Sequence, residues 1–238
     1  MSFFKSSRPS YIKKYLKESA KWSPFEIGRY KLLYDEIIAN SKTAEPRKLG
    51  IKLIVVSDTH GQLAFDRSRF LSFLKSVKEY DLCLILGDIY PEEIDVILEH
   101  IPRQKIIAIK GNHDSFDIYG KYKIRDISGC IYSYNGVQFA GIDGSFRYKN
   151  EPFPSHTQRE SLKIADGLKK ADVLLTHDVM LADFGRDPAH SGLIGIAYYI
   201  YEKTPLWHFH GHIHKSYEQR YKNGTREKSV YMWEYVEL

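Results

Sequence analysis

The amino-acid sequence predicts an α/β fold: a layered β-sandwich of mixed sheets flanked by helices, with a helical extension at the N-terminus. Three observations predict it. From Ile51 onward, short apolar runs rich in β-branched residues recur, amphipathic patterns separate them, and a polar cluster closes each run. Such runs read as strands buried on both faces, and their alternation with helices argues for parallel βαβ units.

Taken in order, Pro9 opens a helix behind Ser7, with Tyr11, Ile12, Tyr15 and Leu16 at helical spacing. A second helix runs from Pro24 to about Asn40, with Ile27, Tyr30, Tyr34 and Ile37 on one face. Helices this short need a surface to pack on. The polar run 41–50 reads as a linker, which divides the chain into a basic helical extension, residues 1–50, and a domain, residues 51–238. Strands follow at 51–57, 82–87 and 105–111, with helices around 70–78 and 91–100 between them. Residues 131–143 read as a hairpin turning on Asn135-Gly136, a pair that accepts positive φ. A helix at 158–169, a strand at 172–176, a helix at 193–202 and a strand at 206–211 come next, and strands near 217–221 and 229–236 form a closing hairpin.

Composition narrows the function class. With 238 residues, 43% apolar and 27% charged, the chain is an ordinary globular one and neither disordered nor collagen-like. Cys83 and Cys130, each among apolar neighbours, read as buried thiols in a reducing compartment. The first residues lack a signal h-region, and no run approaches the roughly 20 apolar residues of a membrane span, so the expected location is the cytoplasm. The formal charge is +5, yet residues 1–50 hold eleven Lys/Arg against five Asp/Glu, a net of +6. That basicity reads as a solvated helical face, with contact to nucleic acid as the alternative.

The chemistry lies in five polar clusters at or just beyond strand ends: Ser57-Asp58-Thr59-His60, Gly87-Asp88, Gly111-Asn112-His113-Asp114, Thr176-His177 and Gly211-His212-Ile213-His214. Each alone reads as a turn or a cap. Ligands of open α/β sheets bind outside the carboxyl ends of strands, so five such clusters of imidazole, carboxylate and amide donors point to one shared site.

In this order the motifs D-x-H, G-D, G-N-H-[DE], H and G-H-x-H resemble those of the calcineurin-like metallophosphoesterase superfamily, over Ile51 to about Tyr217. The S-D-T-H-G and G-H-I-H tracts look closer to its small phosphodiesterase-like branches than to the protein Ser/Thr phosphatases. Those carry Asp-Arg-Gly soon after G-D, where this chain has Ile89-Tyr90-Pro91. The resemblance implies a metallophosphoesterase fold and hydrolysis of a phosphodiester or phosphomonoester, a nucleotide being the leading candidate, by direct attack of a metal-bound hydroxide. It also implies two divalent metal ions: manganese first, with iron, zinc or nickel as alternatives.

Carried over residue by residue, Asp58, His60 and His214 bind the first metal, Asn112, His177 and His212 the second, and Asp88 bridges them. His113 faces the substrate as the catalytic imidazole. Asp114 holds the tautomer of His113 or caps a turn. Asn112 and His190 are the candidate substrate contacts, His190 lying in Asp187-Pro188-Ala189-His190-Ser191-Gly192 before a helix that Ser191 could cap. Asp143, Arg147 and His156 read as a surface loop or as the mouth of the site, and Tyr198, Tyr199 and Tyr201 as core. Two other functions compete with this one: a nuclease that uses the basic arm, and a scaffold that has lost catalysis.

Overall fold

The computed structural model describes residues 9–21, 23, 26–149, 153–182 and 190–238. Along the chain run α1 (Ser10–Glu18), α2 (Ile27–Ala39), β1 (Lys52–Ser57), α3 (Gln62–Phe65), α4 (Arg67–Ser76), β2 (Leu82–Ile85), α5 (Pro91–His100), β3 (Ile106–Ala108), α6 (Ile118–Lys121) and β4 (Arg125–Asp126). Then come β5 (Ile131–Tyr134), β6 (Val137–Ile142), β7 (Ser145–Phe146), β8 (Ser155–His156), α7 (Gln158–Gly167), β9 (Val173–Thr176), α8 (Ile194–Tyr198), β10 (Trp207–His210), β11 (Tyr217–Arg220), β12 (Arg226–Ser229) and β13 (Met232–Glu237).

Two sheets face each other. The first has the order β13-β1-β2-β3-β4 and the second β11-β12-β10-β9-β6-β5, while β7 and β8 form a separate pair. Strands β1 to β4 are mutually parallel, as are β6, β9, β10 and β12. Strand alternation sorts the side chains. Leu53, Val55, Leu84 and Ile107 of the first sheet meet Val137, Phe139, Leu175 and Phe209 of the second in one buried layer. Ile54, Val56, Cys83 and Ile85 point the other way, against Phe70 of α4 and Ile94 and Ile97 of α5. Both faces of the central strands are therefore dry, which is why they read as unbroken apolar runs.

The outer face of the second sheet, through Ala140, Ile142 and Leu174, packs on Leu162 and Ala165 of α7 and on Ile196 of α8. Ile12 and Tyr15 of α1 and Leu33 and Ile37 of α2 join that same cluster. The surface that the two N-terminal helices need is thus the α7–α8 layer. Backbone bonds hold the following segment along the body, from Lys42 N to Tyr201 O (2.9 Å), Ala44 N to Asn223 O (2.8 Å) and Gly50 N to Leu238 O (2.6 Å). The lysines of α1, Lys13, Lys14 and Lys17, are exposed. Among the described residues no helix is long and apolar enough to cross a membrane.

The hairpin expected at 131–143 forms on Asn135 (φ 46°) and Gly136 (φ 79°), the two left-handed positions of a tight turn matched to strand twist. The closing hairpin differs from expectation. β11 pairs with β12, and the apolar run after Ser229 is broken at Met232 (φ 73°), so β13 leaves the second sheet and pairs antiparallel with β1 in the first. Cys130 is exposed rather than buried, because it enters β5 at the open edge of its sheet; Cys83 is buried as expected. Beyond α8 the helix widens to a π-turn over Tyr199–Lys203 and stops at Thr204 (φ 53°). Tyr198, Tyr199 and Tyr201 are core, as read from sequence. Asp187, Pro188 and Ala189 lie outside the described residues.

Adjacent leucines on α2 test the docking of that helix. Leu33 is fully buried and Leu32 is 62% exposed. We expect Leu33→Ala to lower unfolding free energy by about 2–5 kcal/mol and Leu32→Ala to change it by no more than about 0.5 kcal/mol, measured by chemical denaturation.

Candidate metal centre

Ser57-Asp58-Thr59-His60 follows β1, Gly87-Asp88 follows β2, and Gly111-Asn112-His113-Asp114 lies just past β3, all at the carboxyl end of the first sheet. His177 follows β9 and Gly211-His212-Ile213-His214 follows β10, at the carboxyl end of the second. The five clusters meet at the carboxyl ends of the two sheets.

Five residues of this set, Asp58 (φ 53°), His60 (φ 44°), Asp88 (φ 56°), His212 (φ 68°) and His214 (φ 48°), have left-handed backbones. Side chains rarely adopt that conformation, which costs roughly 1–3 kcal/mol apiece and persists only where the surroundings enforce it. Close backbone contacts do the enforcing. A Cβ on Gly87 would overlap the Gly111 backbone, and one on Gly211 would overlap Ser57 Oγ and Asp58 Oδ2. The loops nest because their glycines leave that room.

The donor atoms converge in two groups. Asp58, His60 and His214 form one, with His60 Nε2 3.2 Å from His214 Nε2 and His214 Nε2 3.6 Å from Asp58 Oδ1. Asp58, Asp88 and His177 form the other, with His177 Nε2 2.9 Å from Asn112 Oδ1 and 3.5 Å from Asp88 Oδ2. Asp88 Oδ2 also lies 3.6 Å from His60 Nε2, so one carboxylate reaches both groups. His212 lies beside His177, with ring centroids 5.1 Å apart and planes tilted by 59°.

This set fits cations. Asp58 is buried and its Oδ2 accepts hydrogen bonds from Ser57 Oγ (2.5 Å) and His212 N (2.9 Å), yet Oδ1 has no hydrogen-bond partner among the described residues. A buried carboxylate oxygen without a donor is costly unless a cation takes that place. The Nδ1–H of His177 donates to the Leu86 carbonyl (2.8 Å), which fixes the ring with Nε2 aimed at Asn112 and Asp88.

The sequence matches the calcineurin-like phosphoesterase superfamily domain over residues 51–230. The chain belongs to that superfamily. No curated protein matches it. Among solved structures it is similar to the phosphopantetheinyl hydrolase PptH of Mycobacterium tuberculosis, at 14% identity and TM-score 0.54, over 77% of this chain and 91% of that one. That likeness confirms the fold. A putative 5′-nucleotidase from Staphylococcus aureus matches at 14% identity and TM-score 0.49, covering 76% of this chain and 48% of its own, so the chain spans about half its length. A dimetal phosphatase from Danio rerio matches at 10% identity and TM-score 0.49, covering 79% and 93%.

Around these clusters the remaining candidates take different places. His113 donates its backbone N–H to Asp88 Oδ1 (2.8 Å), while its exposed ring stands edge-on to His60 at 5.5 Å. Asp114 is buried and accepts from the backbone amides of Gly111 (2.8 Å), Asp88 (3.1 Å) and Ile89 (3.1 Å), and from Tyr119 Oη (3.4 Å). It thus ties the G-D loop to the G-N-H-D loop. The His190 ring lies 5.3 Å from that of His212. Asp143 sits between His156 Nε2 (3.0 Å) and Lys110 Nζ (3.3 Å), next to the G-N-H-D loop, and Arg147 bonds Ser155 Oγ (3.2 Å) in the β7–β8 pair.

Sequence reasoning missed Asp178. Fully buried, it accepts from Phe146 N (2.9 Å) and Val179 N (2.7 Å), and its Oδ1 lies 3.8 Å from His212 Nε2. It also missed Glu93, whose carboxylate accepts from Leu63 N (2.8 Å) and Tyr90 N (2.9 Å) and so joins the starts of α3 and α5 behind the ligand loops. The signal for Asp178 was its position next to His177. Glu93 carried only that of an acidic residue in a first helical turn.

The carboxylates set the charge. Burial pulls the His177 imidazole down, but Asp88 and Asp58 outweigh it and hold it up at about 10. His214 is likewise raised, chiefly by Asp58. Burial pushes Asp58 and Asp88 up, but the neighbouring imidazoles outweigh it and hold both below the ordinary carboxylate range. For Asp114, burial and the Asp88 charge push the carboxyl up to about 7.

A cation must displace the proton that His177 holds below pH 10, so binding releases protons and strengthens as pH rises. Calorimetry at pH 6 and pH 8 should find Mn²⁺ bound more tightly at pH 8, by about tenfold per unit for each proton displaced; a flat profile would contradict the ligand role of His177. Gly211→Ala, whose methyl group displaces Asp58, should weaken Mn²⁺ binding roughly 10- to 100-fold in the same assay.

Proposed function

We propose that the protein hydrolyses a phosphodiester or phosphomonoester with the help of two divalent cations, manganese first, held by Asp58, His60, Asp88, Asn112, His177, His212 and His214. One observation carries the reading: the donorless Oδ1 of buried Asp58, with imidazole nitrogens and Asp88 converging around it. Family membership supports it. When bound, the cation pair lowers the pKa of a water and polarises the phosphoryl oxygens.

The side chains do the rest. Asp88 reaches both ligand groups and balances the charge of the pair. His113, held over the opening by its backbone bond to Asp88, donates a proton to the leaving oxygen. Asn112 presents its amide to the phosphate as well as to the centre, and His190 lies at the rim beside His212. Asp114 we reassign to positioning, since its bonds run to backbone amides of the two ligand loops. We take residues 51–238 as the catalytic domain, residues 1–50 as an extension whose α1 and α2 pack on α7 and α8, and the cytoplasm as its place of action, supported by the two unpaired thiols.

With Mn²⁺ supplied, we expect turnover of p-nitrophenyl phosphate or its bis ester. Inactivity with Mn²⁺, Zn²⁺, Fe²⁺ and Ni²⁺, each shown to be bound, would sink the proposal. Asp88→Asn should lose metal and turnover together. His113→Ala should keep the metal and slow kcat by roughly 10²- to 10⁴-fold. Asp114→Ala leaves three buried amides without an acceptor, at about 1–3 kcal/mol each, and should lower both thermal stability and metal affinity, whereas a purely catalytic Asp114 would leave both unchanged.

A further inference from the structure

Strand β10 sorts its side chains by alternation. Trp207 and Phe209 enter the layer between the sheets, so His208 and His210 point to the other face, and both are fully buried. Beside them on β12 stands Glu227, 3% exposed and the register partner of His208. The Nε2–H of His210 donates to Glu227 Oε1 (3.0 Å), and the carboxylate also accepts from Tyr217 Oη (3.3 Å) and Gln219 Nε2. Burial pushes the Glu227 carboxyl up, but His210 outweighs it and holds it down at about 2. The second ring nitrogen of His210 reaches out of this row, its Nδ1–H donating to the Gly211 carbonyl (3.0 Å).

That carbonyl closes the turn from which His212 and His214 project. Ile213 N–H also donates to it (2.9 Å), which makes Gly211-His212-Ile213 a γ-turn with His212 at φ 68°, the rare and strained form. His214 follows at φ 48°. Such a backbone persists where its surroundings enforce it. On one side Asp58 Oδ2 accepts from His212 N (2.9 Å); on the other the His210 ring grips the carbonyl. His208 serves the neighbouring loop in the same way: its Nε2 lies 2.8 Å from Thr176 Oγ1, which donates to the Asp178 carbonyl (2.6 Å) across His177. Stability alone does not explain a buried carboxylate–imidazole pair, since apolar side chains of similar volume are often as stable or more so. An apolar pair cannot, however, hold a carbonyl.

We infer that Glu227 is a positioning residue for the metal centre: by fixing the His210 ring against the Gly211 carbonyl, it holds the strained turn that aims His212 and His214. The inference rests on the reading of those two histidines as metal ligands. Glu227 stands on β12, outside all five clusters, and acts through His210. Removing its carboxylate therefore frees the ring, and with it the carbonyl, so that the two imidazoles lose their shared aim. The loss falls on cation affinity more than on folding, because an ordered turn is needed at the centre and not in the core.

The test measures Mn²⁺ affinity of the full chain by calorimetry, beside thermal unfolding of the same proteins without metal. Glu227→Leu should weaken Mn²⁺ binding roughly 10- to 100-fold, the range for groups that orient a metal's ligands. Glu227→Gln keeps an oxygen within reach of His210 and should hold the affinity within about threefold of the unaltered protein. Leu33→Ala, remote on α2, is the control for stability: it should unfold earlier and bind Mn²⁺ as before. Where Glu227→Leu fails to fold, the double variant His210→Leu/Glu227→Leu decides, since an apolar pair keeps the packing; it should bind Mn²⁺ just as weakly. Unchanged affinity in the leucine variants, equal weakening by Glu227→Gln, or equal weakening by Leu33→Ala overturns the inference and leaves the phosphoester reading standing. If the unaltered protein binds no Mn²⁺, the inference falls together with that reading.

Discussion

The carboxylate of Asp58 is the constraint on which the rest of the centre depends. One oxygen is fixed by Ser57 from its own sheet and by the His212 amide from the opposite one, so the residue spans the seam between the two sheets. The other oxygen is buried and has no hydrogen-bond donor among the described residues. Everything around it follows from keeping that oxygen aimed. Gly211 lacks a side chain because any Cβ would strike the carboxylate, and left-handed backbones at five positions of the clusters let their side chains turn inward together. Such strain is tolerable because two dry sheets hold the strand ends rigidly.

A second tier of carboxylates supports the first. Asp114 joins the loops after β2 and β3, Glu93 joins the helices that cover them, and Asp178 accepts backbone amides beside His212. Each satisfies amides that the tight loops strip from regular secondary structure, which is a usual reason to bury a carboxylate. Binding groups are thus separated from positioning groups, though both are acidic. Asp114 shows how easily they are confused, since it sits beside His113 in sequence while its bonds run to the backbone.

The N-terminal helices and the metal centre load the second sheet differently. α1 and α2 complete an apolar layer on the face of α7 and α8, away from the strand ends that carry His177 and His212. Their excess of positive charge stays on the exposed side of α1, where it leaves the core packing unaffected. The opposite treatment is seen beside His60 and His113, where the Tyr90 and Phe153 rings remain uncovered.

The sequence by itself determined the parallel strands, the Asn135-Gly136 turn and the residue types of the centre, because alternation, turn chemistry and ligand motifs are local in the chain. Only the tertiary structure decided which strands share a sheet. The strand expected near 229–236 to pair with 217–221 instead forms β13 and pairs with β1 in the first sheet, past a left-handed residue at Met232, while β12, at 226–229, closes the hairpin. Cys130 looked buried by its neighbours and proved exposed at a sheet edge. Nor could the sequence locate Asp178, Glu93 or the role of Asp114, since those depend on amides brought together from segments 3 to 32 residues apart. The exposure of Phe153 was invisible for the same reason: an exposed phenylalanine and a buried one are the same letter, and only packing separates them.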